Sequence, residues 1–385
     1  MRLGRGELRL RLRGARRLSP TSRPAPLFTD VTVEAGIDAR HSLPPAGITD
    51  IVDSNGGGAA FVDLDDDGWL DLLVAGGTRS PDPDADSARH GGLRAYRNQR
   101  DGSFEDVTEA WGLPPEGTGI AWSAADFYGD GDRDLYLVDR EPNRLFENLG
   151  GGELRDITAR GGVGDAGFGI SVAFFDMEGD GDLDLYCANY LEFDENPPSQ
   201  YRAGAHPGPL AWPAQADLLY RNRGDGTFED VSGPSGIAAV AGRAMSVTAA
   251  DLDEDRDQDL YVLNDATPSY VFLNDGYGRF VESGARCGLA LGRGGRPVAA
   301  MAIGIGDLDA DGHLDVTVSD DVAGSVFTRV APGVYEDRAG RSGLPELMQN
   351  CVSWGHNLFD ADRDGDLDIF TVNGGLTTPI PQVDV

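Results

Sequence analysis

The sequence predicts an all-β protein, a β-propeller of four-stranded blades, on three observations. One acidic phrase recurs six times. Each copy runs straight into a β-branched, aromatic segment. Asp-Gly turns flanked by alternating apolar residues follow at regular intervals. The sixth copy shows the phrase most fully: Asp360-Ala361-Asp362-Arg363-Asp364-Gly365-Asp366-Leu367-Asp368, then Ile369-Phe370-Thr371-Val372. Its carboxylates stand at positions 1, 3, 5 and 9, with glycine at position 6. The other copies span Asp63 to Asp71, Asp126 to Asp134, Asp176 to Asp184, Asp251 to Asp259 and Asp307 to Asp315, with starts 50 to 75 residues apart. That period suits one small sheet per repeat, too small to bury both faces alone, so that neighbours must cover it.

The third repeat displays a full unit. A strand from Ile170 to Phe175 enters the acidic loop, and Asp184-Leu185-Tyr186-Cys187 leaves it. Leu218 to Asn222 forms a third strand, and Gly224-Asp225-Gly226 turns into a fourth, Thr227 to Ser232. Asp-Gly between alternating apolar residues is a strong hairpin signal; Asp101-Gly102 and Asp275-Gly276 repeat it. Phe28-Thr29-Asp30-Val31-Thr32 matches the fourth-strand phrase Phe104-Glu105-Asp106-Val107-Thr108 and is expected to serve as the outermost strand of the final blade. After Val372 only residues 376–385 remain to supply that blade's third strand, so the last blade is either imperfect or completed elsewhere.

Alternate carboxylates on a tight turn converge their oxygens, and hard cations such as Ca²⁺ collect six to eight oxygen ligands. Glycine at position 6 permits the sharp turn. The first half of the loop reads like an EF-hand, but position 12 of the first copy is Val74 and a strand follows, which rejects that fold. A single copy is also good hairpin chemistry. Six in one register are read as cation sites, because clustered unpaired carboxylates repel one another. The expected ligands are Asp63, Asp65, Asp67 and Asp71; Asp126, Asp130, Asp132 and Asp134; Asp176, Glu178, Asp180, Asp182 and Asp184; Asp251, Asp253, Asp255, Asp257 and Asp259; Asp307, Asp309, Asp311 and Asp315; and Asp360, Asp362, Asp364, Asp366 and Asp368. Up to six Ca²⁺ ions would bind. Tyr128 takes the third place of the second loop, and Arg256 takes the glycine place of the fourth, which is expected to weaken that site.

Composition bounds the rest. The net charge of −33 argues against nucleic acid and anionic membranes as partners. Hydrophobic residues at 40%, regularly spaced, argue against disorder. All basic residues are arginine, a compositional bias. Residues 1–26 hold eight arginines and one glutamate without an apolar h-region, a tail expected to be disordered rather than a secretory signal. Cys187, Cys287 and Cys351 are isolated and read as buried small hydrophobes. The insertion 190–217, rich in proline, is either a rigid capping excursion or, through Tyr190, Phe193, Tyr201 and Trp212, a ligand platform.

Other motifs fail their own context. Gly162-Val163-Gly164-Asp165-Ala166-Gly167 joins two strands and opens no helix, so a dinucleotide site is rejected. Arg223-Gly224-Asp225 lies in a hairpin turn. His356, near Trp354 and Asn357, is the histidine placed to face a central channel.

The combination of Phe-Thr-Asp-Val-Thr with Ala-Gly-Ile, the acidic loops, and Leu-Tyr-Arg-Asn-x-Gly-Asp-Gly-Thr-Phe resembles FG-GAP/VCBS repeats. Together with Ala188-Asn189-Tyr190-Leu191, Asn196-Pro197-Pro198 and Asn264-Asp265-Ala266-Thr267-Pro268, the order is similar to the cartilage-acidic-protein/ASPIC–UnbV group over about residues 27–376. The resemblance implies a seven-bladed propeller akin to the integrin α head, calcium in the blade loops, and an extracellular or periplasmic setting. Six repeats are visible. The expected function is a calcium-dependent module binding protein or glycan without catalysis. The alternative is a propeller enzyme, of the natural-product cyclase or polysaccharide lyase type, with its site in the channel.

Overall fold

The computed structural model describes residues 28–40, 51, 55, 57–76, 92–115, 117–194, 208–321, 323–345 and 352–374. Five four-stranded antiparallel sheets and one hairpin follow in chain order. The first sheet is β1 (Ala59–Val62), β2 (Asp71–Ala75), β3 (Leu93–Asn98) and β4 (Phe104–Asp106). The second is β5 (Ala121–Ala125), β6 (Asp134–Val138), β7 (Arg144–Asn148) and β8 (Leu154–Asp156). The third is β9 (Gly169–Phe175), β10 (Asp184–Asn189), β11 (Leu218–Asn222) and β12 (Phe228–Asp230). The fourth is β13 (Ala244–Ala250), β14 (Asp259–Asn264), β15 (Tyr270–Asn274) and β16 (Phe280–Glu282). The fifth is β17 (Ala302–Gly306), β18 (Asp315–Ser319), β19 (Ser325–Ala331) and β20 (Val334–Asp337), and β21 (Val352–Phe359) pairs with β22 (Asp368–Gly374). Every sheet pairs its strands in sequence order, as blades of the propeller type do.

Position in the sheet explains each strand's composition. The second strand is central and covered on both faces, so β6, Asp-Leu-Tyr-Leu-Val, is buried throughout. The fourth is a short edge strand, and β12 exposes Glu229 and Asp230, charges that discourage pairing with other chains. A repeated corner closes that strand. Asp106 accepts from the backbone N–H and hydroxyl of Thr108, and the Thr108 hydroxyl accepts from the Ala95 N–H. Asp230 and Ser232 repeat it with Leu219. Gly112 then turns at φ 83°, where a Cβ would meet the Leu154 carbonyl oxygen at 2.6 Å, so both handedness and space require glycine.

The chain divides into two compact units: described residues of 31–249 with 274–280, and described residues of 1–30, 250–273 and 281–385. In the former, Leu73, Leu93, Leu135, Leu137 and Phe146 interlock the first and second sheets, and Tyr136, Val138, Leu185 and Tyr220 the second and third. In the latter, Tyr261, Leu263, Val316, Val318 and Phe327 form one core, and Leu308 and Val326 meet Leu358 and Ile369 of the hairpin. Each fully buried side chain of this size contributes roughly 1.5–3 kcal/mol.

One expectation changes and one alternative is narrowed. Phe28–Asp30 is not a strand: with no third strand among the described residues for it to pair with, Phe28 sets its ring edge-on against Phe370 at 5.6 Å. In the insertion, Tyr190 and Trp212 are core residues, 1% and 3% exposed, rather than a platform. Trp212 stacks on Phe193 and donates from Nε1 to the Asp194 carbonyl, while Arg243 ties down the Pro209 and Trp212 carbonyls. Tyr201, Cys351 and the two terminal tails lie outside the described residues. Cys187 and Cys287 are free and buried. Gly162 caps the helical turn Thr158–Gly161 and leads to a strand.

Candidate metal centres

All six loops share one backbone frame, held by their own carboxylates. The position-1 aspartate accepts the N–H groups of positions 5 and 6: Asp63 takes Asp67 and Gly68 at 3.1 and 2.9 Å, and Asp307 takes Asp311 and Gly312 at 3.0 Å each. The position-5 aspartate accepts the N–H of position 7, as Asp67 does from Trp69 and Asp311 from His313. Position 6 is left-handed in every copy, including Arg256 at φ 83°. The arginine therefore adopts the glycine conformation, and the fourth loop keeps the shared shape.

Position 9 has a second task that the spacing does not reveal. Asp71 accepts the Leu64 N–H on one oxygen and the Asn98 N–H, from the end of β3, on the other. Asp134, Asp184 and Asp315 do the same with Asn148, Asn222 and Arg329. These carboxylates are buried, which pushes Asp134 and Asp184 up to about 7 and Asp315 up to about 6 despite the donated hydrogen bonds. The asparagine that ends a third strand also reaches the preceding loop. Asn148 Nδ2 donates to the Leu64 carbonyl, Asn222 Nδ2 to Phe127 and Asn274 Nδ2 to Met177, each at position 2. The fifth sheet has Arg329 in that place, and there Tyr335 donates its hydroxyl to the Leu252 carbonyl instead.

Within this frame, four loops bring three carboxylates together, with one oxygen from each inside 4.8 Å of the others. They are Asp63, Asp65 and Asp71; Asp251, Asp253 and Asp255; Asp307, Asp309 and Asp311; and Asp360, Asp362 and Asp368. Asp253 and Asp309, at position 3, each keep a buried oxygen without a hydrogen-bond partner, whereas Asp65 is faced by the Arg97 guanidinium at 2.7 Å. A buried carboxylate oxygen with no donor is costly unless a cation faces it, so this donor set fits a hard divalent ion.

The second and third loops differ. Tyr128 turns its ring onto Phe127 and lies under the Arg160 guanidinium, leaving Asp126, Asp130 and Asp132 in the shared frame without a third converging carboxylate. Glu178 extends to Arg221, with Oε1 2.6 Å from Nε, while Asp176, Asp180 and Asp182 keep the frame. His313 presents Nδ1 to Glu254 rather than to the ion position. His356 is 8% exposed and packs its Nε2 against the Thr317 hydroxyl at 2.6 Å. Burial pulls it down to about 4. It is a core histidine, with no carboxylate among the described residues bonded to it.

Among solved structures, the chain is similar to an Agrocybe aegerita lectin that recognises non-reducing terminal N-acetylglucosamine, at 17% identity and a TM-score of 0.46, covering 83% of this chain and 75% of that one. It is similar to a Bacillus licheniformis rhamnogalacturonan lyase at 16% identity and a TM-score of 0.42, covering 83% and 55%. YCF48 bound to a D1 peptide matches at 10% identity and a TM-score of 0.41, covering 83% and 96%. No curated protein matches the sequence. The FG-GAP-like repeat model matches residues 63–137, 126–187, 210–262 and 251–318, more than half of the chain and five of the six loops. With the repeat visible both in these segments and in the sheets they form, the chain belongs to the FG-GAP-like repeat family.

Proposed function

We propose that this protein is a calcium-braced propeller module, with Ca²⁺ held in the loops 63–71, 251–259, 307–315 and 360–368. The observation that carries this reading is the convergence of three carboxylates in each of these loops. Buried position-3 oxygens lacking any hydrogen-bond donor in the fourth and fifth loops support it. Ca²⁺ is favoured over Mg²⁺ because the ligands are all-protein carboxylates on loops of irregular geometry, whereas Mg²⁺ demands near-ideal octahedra and keeps its water. The ions would neutralise the most crowded negative charge in a chain of net charge −33. Each ion ties the turn between a blade's first and second strands.

Sites of roughly 10⁻⁴–10⁻³ M would suit an extracellular setting. At 10 mM Ca²⁺ each such site adds about 1.4–2.7 kcal/mol to stability. The module would bind protein or glycan through its surface, where Trp69, Leu70 and Tyr277 stand exposed. No helix among the described residues is long and apolar enough to cross a membrane. The burial of His356 favours the binding reading over a channel enzyme that would use this histidine. We place the chain with the ASPIC–UnbV group on the phrase Asn264-Asp265-Ala266-Thr267-Pro268 and the proline-rich insertion. The test is thermal melting in 10 mM Ca²⁺, in 10 mM Mg²⁺ and in excess EDTA. Calcium should raise the midpoint by several degrees over both other conditions. Superimposable curves would remove the metal from the account.

A further inference from the structure

We infer that the third strand of each blade decides how readily its loop takes a cation, through the side chain just before the strand's terminal loop-bonding residue. The inference rests on the cation reading above and adds an order of filling to it. In the first sheet that residue is Arg97. Its Nε lies 2.7 Å from Asp65 Oδ2, with Arg97 45% and the Asp65 side chain 5% exposed. The N–H is not directed at the oxygen, so the contact is charge pairing without a hydrogen bond, and Asp65 keeps its acceptor capacity. Arg100, just past the strand, grips Asp67 Oδ2 at 2.7 and 3.1 Å. Asp65, in the converging cluster of the first loop, and Asp67, beside it, thus carry guanidinium counter-ions that oppose an incoming cation.

The corresponding residue varies among the other sheets. Arg221 of β11 holds Glu178, and that loop shows no three-carboxylate cluster among the described residues. Glu147 of β7 pairs with Arg155 and leaves the second loop to Tyr128. Leu273 of β15 and Thr328 of β19 bring no charge, and Asp253 and Asp309 form no ion pair among the described residues. The nearby basic side chains go elsewhere: Arg329 and His313 both turn to Glu254, at position 4 of the fourth loop and outside its ligand cluster. An uncharged residue leaves the loop open, as in the fourth and fifth. An arginine reaching a short Asp makes it exchangeable, as in the first, and one reaching a longer Glu closes it, as in the third. The first loop therefore fills after the fourth and fifth, and its filling releases Arg97 and Arg100 to the surface.

Trp69, at position 7 of the first loop, is the only tryptophan in any of the six loops, so it reports this site alone. The full chain is titrated with Tb³⁺, and sensitised emission lost in Trp69→Phe is assigned to the first loop. In the double variant Arg97→Gln/Arg100→Gln the midpoint of that emission should fall about tenfold, since two nearby positive charges no longer oppose the ion. Arg155→Gln, the same charge change in the next sheet, should leave it in place. An unmoved midpoint in the double variant, or an equal shift in Arg155→Gln, overturns the inference. So does calcium-dependent melting without any Trp69-dependent emission, which would leave the cation reading standing for the other loops. Absence of both signals removes the two together.

Discussion

At the scale of single residues, the acidic loops were legible because their chemistry is local. Alternate aspartates and a position-6 turn residue share one nine-residue window, and the same window builds the hydrogen-bonded frame from Asp63 to Gly68. What escaped were roles set by distant partners. Asp71 receives a hydrogen bond from Asn98, 27 residues on, and nothing in the loop's own spacing reveals it. Capping and platform stayed open for Tyr190 and Trp212, because aromatic content is visible in a sequence and the layer that covers it is not. Arg256 is the instructive substitution. At φ 83° it occupies backbone space that costs an L-residue about 1–2 kcal/mol, and hydrogen bonds from Asp255 and Arg256 to Asp251 hold it there. Arg256→Gly should therefore stabilise the protein by about 1 kcal/mol, less than the full strain because glycine also loosens the unfolded chain. Urea denaturation in excess EDTA checks it, and a destabilised variant would show that the arginine makes a compensating contact.

At the scale of elements, strand order and hairpins followed from the sequence, because each sheet is a meander joined by Asp-Gly turns. The third repeat shows how close that reading came: the strand expected from Leu218 to Asn222 has those bounds, and the first gains only Gly169. The terminal asparagine of the third strand was visible as part of a repeated phrase without its reason. The structure supplies one, since Asn222 Nδ2 bonds the Phe127 carbonyl at 3.0 Å and the Leu183 carbonyl at 3.1 Å. One side chain thus fixes its own loop and that of the preceding sheet, coupling elements that share no strand pairing. Removing the donor strands two carbonyls, one of them in a buried bond, so Asn222→Ala should cost about 2–4 kcal/mol. Asn222→Asp keeps the shape and loses the donor, and should be equally damaging. Chemical denaturation of both reads the effect. A full recovery in the Asp variant would assign the role to shape.

At the scale of the whole molecule, two buried groups outside the loops give stability opposite slopes in pH. Asp217 accepts hydrogen bonds from the Tyr186 hydroxyl at 2.6 Å and the Asn189 N–H at 2.7 Å, yet burial pushes it up to about 7 from an ordinary 3.8. The folded state then holds its proton where the unfolded chain has lost it, so stability is full below 3.8 and drains as pH rises to about 7. His356 runs the other way. Burial pulls it from 6.5 to about 4, so the unfolded chain takes up a proton first, and stability falls as pH drops through that window. At 1.36 kcal/mol per pKa unit, the spans are about 4 kcal/mol for Asp217 and about 3 kcal/mol for His356. Burial pushes Asp134, Asp184 and Asp315 into the same range, so single variants are needed to separate the two. With EDTA in excess, the stability of wild type relative to Asp217→Asn should decline between pH 4 and 7. Relative to His356→Gln it should rise between pH 4 and 6.5. The two residues belong to different compact units, so their contributions should add in the double variant. A flat difference in either comparison would mean that the group titrates as it does in water, and that its burial is relieved by solvent reaching it.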